Sequence, residues 1–324
     1  METRLQIVVS QNRFLHIVLA ACSCLLLGVA SGMQEGDDGR DPRYQGCSLL
    51  GRQLVAPEPS PALLQKYHAA KQRFEKEPSN ADLEIWLGRF TAYQGLHRQA
   101  IEIYSRGIQR HPADARFLRH RGHRHISLRQ WEQAIVDLRR ASQLVAGKPD
   151  QLEPDGIPNA KNRPVSSLHT NIWYHLGLAY YLKNDLPNAV AAYRRGLAAS
   201  QNDDMRVAFT HWLYMSYRQM GKREEADRAL ASIHEEMDVI ESFDYYELCL
   251  FYKGRRSLEE MEGRSPADAA GASDALRYGL ANWHLYQGEP ARGRKLLAEV
   301  SESSAWSSFG CIAAEACLQR IESR

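Results

Sequence analysis

A pair of small residues returns at a fixed distance in this chain. Gly88 and Ala100 lie twelve residues apart, and Gly122 and Ala134 repeat the pair thirty-four residues later. Thirty-four residues is the length of a helix–turn–helix unit that stacks on copies of itself. This period constrains the chain to an all-α repeat architecture more strongly than any other feature of its sequence.

Residues 83–112 show how one unit is expected to fold. Apolar side chains recur at three- and four-residue spacing, which is typical of an amphipathic helix, at Leu83, Trp86, Leu87 and Phe90. Gly95 marks a tight turn, and Pro112 ends the second helix of the pair. Neither helix can bury its apolar stripe alone, so neighbouring units must supply the opposing surface.

The clearest copy of the unit lies at residues 173–196. The residues that follow the repeat spacing in this copy are Trp173, Leu176, Gly177, Tyr180, Ala189, Tyr193 and Gly196. These residues resemble the tetratricopeptide repeat (TPR) family, whose unit has Trp–Leu–Gly–Tyr on the first helix and Ala–Phe–Ala–Pro on the second. The resemblance implies a right-handed α-solenoid of about five to six stacked antiparallel helical hairpins over residues 80–304.

The repeats have expected caps and one interruption. A helix-like stretch at 61–79 is predicted to cap the first unit, and another at 305–324 to close the last. Between the second and third units, residues 148–169 form an insertion with four prolines, which excludes a continuous helix. The insertion is either a tolerated surface loop or a segment that folds over the groove or contacts a partner.

The first thirty-two residues have the layout of a targeting segment. Arg4 and Arg13 precede an apolar run that ends near Ala30 and Ser31, as in a secretory signal peptide. Two alternatives are an uncleaved membrane anchor and a lipoprotein signal with lipidation at Cys22. All three predict an exported protein of the periplasm, the cell envelope or the exterior. Residues 33–60 are predicted to be a flexible tether.

Four cysteines follow the targeting segment, at positions 47, 249, 311 and 317. Their even number permits two disulfides in an oxidising compartment, but no spacing supports a particular pairing. Cys311 and Cys317 are six residues apart on one predicted helix and lie on different faces of it.

The sequence contains no recognisable catalytic motif. A search for a phosphate-binding loop, a dinucleotide fingerprint, a zincin motif and a nucleophile elbow finds none. We therefore expect a non-enzymatic protein without a cofactor. The 41 Lys and Arg residues are balanced by 39 Asp and Glu residues. Such a balance argues against nucleic acid as a partner, and only the N-terminal segment suggests contact with a membrane.

The outlier in composition is residues 116–129, with five arginines, three histidines and no acid. In the TPR family, four positions of each first helix line a concave groove. Transferred to this sequence, the resemblance predicts a basic and aromatic groove lined by Arg89, Arg116, Arg119, His123, Tyr174, Tyr181, His211 and Arg218.

The resulting hypothesis is a scaffold that binds a peptide or protein segment with acidic residues or a free C-terminal carboxylate, because arginine pairs well with carboxylates. A merely solvated charged face is the simpler alternative. Another alternative is a small anionic ligand or a metal bound by the Arg/His cluster through His120 and His123. Ile85 and Arg89 replace the Lys and Asn of the family's two-carboxylate clamp, so that specific partner is not supported.

Overall fold

A computed structural model of the protein describes residues 41–263 and 273–323. The predicted targeting segment, Cys22 and residues 33–40 lie outside these ranges. Two strands come first, β1 (Tyr44–Cys47) and β2 (Gln53–Val55). The helices that follow are α1 (Pro61–Lys76), α2 (Ala81–Tyr93), α3 (His97–Arg110), α4 (Ala115–Ser127), α5 (Trp131–Val145), α6 (Leu168–Leu182), α7 (Leu186–Ala199), α8 (Asp203–Gln219), α9 (Arg223–Ala229), α10 (Phe243–Tyr252), α11 (Leu258–Glu262), α12 (Asp274–Tyr286), α13 (Pro290–Ser301) and α14 (Phe309–Glu322).

The helices form consecutive hairpins, and this confirms the predicted all-α helical repeat. From α2 to α8, each helix packs on the next one in the sequence. Within the described residues six hairpins follow one another, from α2–α3 to α12–α13. Aromatic residues fill the centre of the stack, and Trp212, Tyr181 and Tyr193 are almost completely buried.

The recurring glycines lie where two helices of a hairpin approach closely. A Cβ atom at Gly88 would overlap the ring of Tyr104 on the second helix of the same hairpin. Gly177 has the same relation to Tyr193 in the third hairpin. The small residues of the period are therefore explained by helix–helix packing, since any side chain there would push the helices apart.

The turn between the two helices of a hairpin requires a left-handed backbone. Glycine meets this need in the first hairpin, where Gly95 has φ = 80°. In the second and third hairpins Arg129 (φ = 61°) and Asn184 (φ = 65°) take this position. Arginine is strained there, and its presence indicates that its side chain has another role in the fold.

The Arg129 side chain joins the second hairpin to the C-terminal helix. Its guanidinium donates from Nε to Glu315 over 2.9 Å and from Nη2 to the Trp306 carbonyl over 2.9 Å. The side chains of Arg129 and Glu315 are 3% and 1% exposed. This buried ion pair holds together elements that are far apart in sequence.

The predicted flexible tether is wrong for residues 41–60. This stretch begins with an antiparallel hairpin of β1 and β2, and Leu54 and Ala56 are buried. Ala56 packs against Gly95, and the Arg98 backbone N–H donates to the side chain of Gln45 over 3.0 Å. The segment is ordered because it packs on the end of the first helical hairpin, a contact that its local composition does not show.

The C-terminal helix α14 does more than cap the last repeat. It packs on α12 and α13, and it also contacts α6, where Arg320 donates to the Leu182 carbonyl over 3.2 Å. The N-terminal hairpin reaches the same region, since the Trp306 indole donates to the Val55 carbonyl over 2.8 Å and Arg52 donates to the Ser303 carbonyl over 2.9 Å. Within the described residues, the two ends of the helical array therefore meet.

The proline-rich insertion crosses from one side of the array to the other. We call residues 148–167 the strap. Lys66 of α1 donates to the Gly156 carbonyl of the strap over 3.3 Å. Further along, Lys161 and Arg163 both pair with Asp238, at 3.0 and 2.8 Å. These contacts favour the interpretation that the insertion folds over the inner face of the repeats.

The described cysteines are free thiols, with Cys47 exposed and the other three buried. Burial, with a contribution from Glu315, raises the pKa of the Cys311 thiol to about 12. None of the described helices has the length and apolar character needed to span a bilayer.

Candidate functional site

A cavity of about 300 Å³ lies between the first helices of successive hairpins. Helices α2, α4, α6, α8 and α10 form its walls, the strap covers one side, and α14 contributes Phe309. We call it the central cavity. Its charged lining consists of Arg89, Arg119, Arg124, Glu153, Asp155 and Glu241, with histidines and tyrosines between them.

Helix α4 supplies the basic end of the central cavity. His120, His123 and Arg124 follow Arg119 by one, four and five residues, which places all four on one side of a helix. Arg119 is 8% exposed, and its Nη2 pairs with Glu153 of the strap at 2.7 Å. The Nε of Arg119 is buried without a hydrogen-bond partner. The ion pair thus leaves part of the guanidinium free to bind a second group.

Arg124 has no partner of opposite charge. No hydrogen bond or ion pair joins its side chain to another described residue. Burial lowers the pKa of Arg124 to about 10, and the neighbouring Arg119 and Arg89 contribute to this shift. Arg124 is half-buried, and a partly desolvated guanidinium without a counter-charge is unfavourable, so an anion entering the central cavity would stabilise it.

Three histidines line the cavity beside these arginines. The rings of His123 and His175 are 4.2 Å apart, and His120 stacks on Tyr104 at 5.5 Å. Burial, and then the nearby arginines, lowers the pKa of both His120 and His123 well below 6.5, so these rings are neutral at pH 7. Among the described residues, no three His, Cys, Asp or Glu side chains are grouped to hold a metal ion.

The strap contributes carboxylates to the same cavity. Glu153 is 8% exposed; one oxygen accepts from Asn171 over 2.8 Å and the other is buried without a partner. One oxygen of Asp155 is also buried and unpartnered. Burial raises the pKa of both carboxyl groups, against the opposing effect of Arg119 or Arg89. The cavity therefore contains unsatisfied acceptors as well as unsatisfied donors.

Four of the eight predicted groove residues line the central cavity: Arg89, Arg119, His123 and Tyr174. The Arg89 guanidinium lies over the Trp86 ring at 4.3 Å and donates to the Tyr93 hydroxyl over 3.1 Å. The predicted offsets thus identify a shared surface over the first three hairpins.

The other four predicted residues lie elsewhere, and an open groove through them is wrong. Tyr181 and His211 are fully buried, because Tyr278 of α12 covers the first and Tyr245 of α10 covers the second. Arg116 and Arg218 make contacts outside the cavity. Arg116 forms ion pairs with Asp82 and Asp114, each at 2.6 Å, and Arg218 donates to the Tyr214 hydroxyl over 2.7 Å.

The repeat positions did not identify several residues of the cavity. Arg124 is one residue beyond a groove position, although it belongs to the basic stretch at 116–129. Glu153 and Asp155 flank Pro154 in the insertion. Two acidic residues at this place in the sequence are the signal that could have identified the strap as part of a binding site. Phe309 reaches the cavity only because α14 turns back onto the array.

No protein-family model matches the sequence, and a comparison with curated proteins finds no match. Solved structures of repeat proteins overlap with it in part. MamA has a TM-score of 0.40 at 18% identity over 59% of this chain and 90% of its own. A tetratricopeptide repeat protein from Parabacteroides merdae has a TM-score of 0.45 at 16% identity, over 78% and 92% of the two chains.

YrrB, described as a TPR protein with an unusual peptide-binding site, has a TM-score of 0.41 at 11% identity, over 74% of this chain and 96% of its own. Similarities of this degree do not transfer a function. The function has to be argued from the central cavity itself.

Proposed function

We propose that this protein is a non-catalytic binding protein whose central cavity receives the carboxylate end of a peptide or protein segment. The observation that carries the proposal is Arg124, a half-buried cavity guanidinium without a carboxylate partner among the described residues, beside the buried and unpartnered Nε of Arg119. A cation taken partly out of water without a carboxylate partner loses hydration at a free-energy cost that no counter-charge offsets. A carboxylate bound at Arg124 and at the free Nε of Arg119 would offset this cost.

The size of the cavity limits how much of a partner it encloses. Its volume of about 300 Å³ equals the space of roughly ten water molecules at about 30 Å³ each. Only the last one or two residues of a chain fit into such a space. The proposed binding mode is therefore recognition of a chain end, and the aromatic walls would contact the side chain next to the carboxylate.

Export remains part of the proposal and rests on residues 1–32 of the sequence. The N-terminal segment would deliver the repeat array to the cell envelope or the exterior, through cleavage, anchoring or lipidation at Cys22. Fractionation of the producing cells, with mass spectrometry of the mature N-terminus, tests this directly. Full-length protein confined to the cytoplasm would contradict it.

The binding proposal is tested by calorimetry of the full chain with a pentapeptide of Ala and Glu that has a free C-terminus, and with its C-terminal amide. We expect the free acid to bind more tightly. Arg124→Gln should weaken binding of the free acid about tenfold or more, since a charged hydrogen bond contributes about 1.5–3 kcal/mol.

The matched control is Arg116→Gln, which removes the same charge from the same helix but outside the cavity. It should change the dissociation constant less than twofold. Equal affinity for acid and amide, or equal losses in the two variants, would contradict the proposal.

A further inference from the structure

The central cavity is a dipolar site, because its unsatisfied donors and acceptors come from different elements. Helix α4 contributes the cationic groups, Arg119 with its unpartnered Nε and Arg124. The strap contributes the anionic ones, Glu153 with an unpartnered Oε1 and Asp155 with an unpartnered Oδ2. Arg119 and Glu153 are both 8% exposed, so neither free atom is solvated as it would be on the surface.

The acidic side extends to the rim of the cavity. Glu241, from the loop before α10, lies close to Asp155: burial raises the pKa of Glu241, and the charge of Asp155 adds to the shift. The Asn159 amide of the strap donates to Glu241 over 2.6 Å. Glu241 is solvent-exposed, whereas Arg124 is half-buried, so the anionic side lies nearer to the entrance.

The charged side chains of the central cavity do not fully neutralise one another. Glu153 satisfies one nitrogen of Arg119, and no described carboxylate reaches Arg124. At the opposite side, Asp155 has no ion pair with a described residue. A carboxylate compensates Arg124, and a ligand that also carries a positive group would compensate Asp155 and Glu241 as well.

We propose that the central cavity binds a compact zwitterion, with its carboxylate at Arg124 and Arg119 and its α-ammonium at Asp155 and the free oxygen of Glu153. This inference rests on the proposed function and names its ligand class, an α-amino acid or a short peptide free at both ends. The volume of about 300 Å³ accommodates roughly ten non-hydrogen atoms, the size of a dipeptide of small residues. Tyr93 and Phe309 add aromatic surface to the lining of the cavity.

The test is calorimetry of the full chain with four probes: alanylalanine, its N-acetyl form, its C-terminal amide and free alanine. We expect N-acetylation and amidation each to weaken binding of the dipeptide about tenfold or more, because each removes one charged contact. The comparison of alanylalanine with alanine shows whether the zwitterionic ligand is a dipeptide or a single amino acid, and tighter binding of either one supports the proposal.

The discriminating variant is Asp155→Asn, at a half-buried strap position where the fold does not depend on an ion pair. It should abolish the preference for the free amine over the N-acetyl form and leave the preference for the free acid over the amide intact. Asp227→Asn, on the exposed side of α9, is the matched control and should behave as the unmodified protein.

The two proposals fail in different ways. Binding of the N-acetyl dipeptide as tightly as the free dipeptide, unchanged by Asp155→Asn, would overturn the zwitterion and leave the carboxylate site. Absence of binding by every probe, together with no difference between the pentapeptide acid and its amide, would overturn both.

Discussion

Replacement of Arg129 distinguishes two opposing contributions to stability at one position, the strain of its left-handed backbone and the ion pair of its side chain. Its left-handed backbone costs about 1–2 kcal/mol relative to glycine, whereas loss of its side chain leaves Glu315, 1% exposed, with only the more distant Arg52, at 3.9 Å, as a cationic partner. Breaking such a pair costs about 3–5 kcal/mol. Arg129→Ala keeps the strain and loses the pair, so we expect it to lower the free energy of unfolding by about 3–5 kcal/mol. Arg129→Gly relieves the strain as well, so its net loss should be about 1–4 kcal/mol.

Urea unfolding followed by circular dichroism measures both variants. The Gly variant should be more stable than the Ala variant by about 1–2 kcal/mol. Glu315→Gln combined with Arg129→Gly should recover part of the loss, because no buried carboxylate then depends on the distant Arg52 alone. Equal stability of the Gly variant and the unmodified protein would refute the structural role of the ion pair. Equal stability of the Ala and Gly variants would refute the backbone strain.

Three further outcomes follow from the packing. Gly177→Ala should lower the free energy of unfolding by about 1–3 kcal/mol, because the new methyl group overlaps Tyr193; a neutral result in urea unfolding would contradict close helix packing. His211→Phe should stabilise the protein by about 1–3 kcal/mol, since both ring nitrogens are buried without partners; a lower midpoint in urea would contradict this. Acidification below about pH 6.5 should destabilise the fold by up to about 1.4 kcal/mol per pH unit for each histidine, and melting temperatures that are unchanged between pH 7.5 and 5.5 would contradict this. The cause is that burial lowers the pKa of six histidines in the folded state, so the unfolded state takes up these protons first as the pH falls: His97, His120, His123, His125, His175 and His211.

The sequence predicted what depends on local spacing. The hairpins and the contact of Gly88 with Tyr104 follow from the period, because packing within a unit involves residues that are close in the chain. The predicted groove positions line the central cavity where the inner face stays open, as at Arg119, and are covered where later elements pack on it, as at Tyr181. Whether a groove position is covered depends on where α10, α12 and α14 pack, and the repeat period does not determine this.

The strap and the N-terminal hairpin were harder to predict for a related reason. Their stability comes from docking on helices rather than from their own apolar pattern. Glu153 is held by Arg119 and Asn171, and Ala56 by the turn at Gly95. Such contacts are visible only once both partners are placed in three dimensions.

The meeting of the two ends has a consequence for how this chain folds. In an open repeat array each unit touches only its neighbours, so folding can start anywhere and spread, and a lost end unit affects little else. Here Arg129 bonds to a residue 186 positions away, and Trp306 to one 251 positions away. Such separations raise the contact order and slow folding. Helix α14 can dock only after the second and third hairpins are in place, so deleting it should weaken the whole array at once rather than fray its last unit.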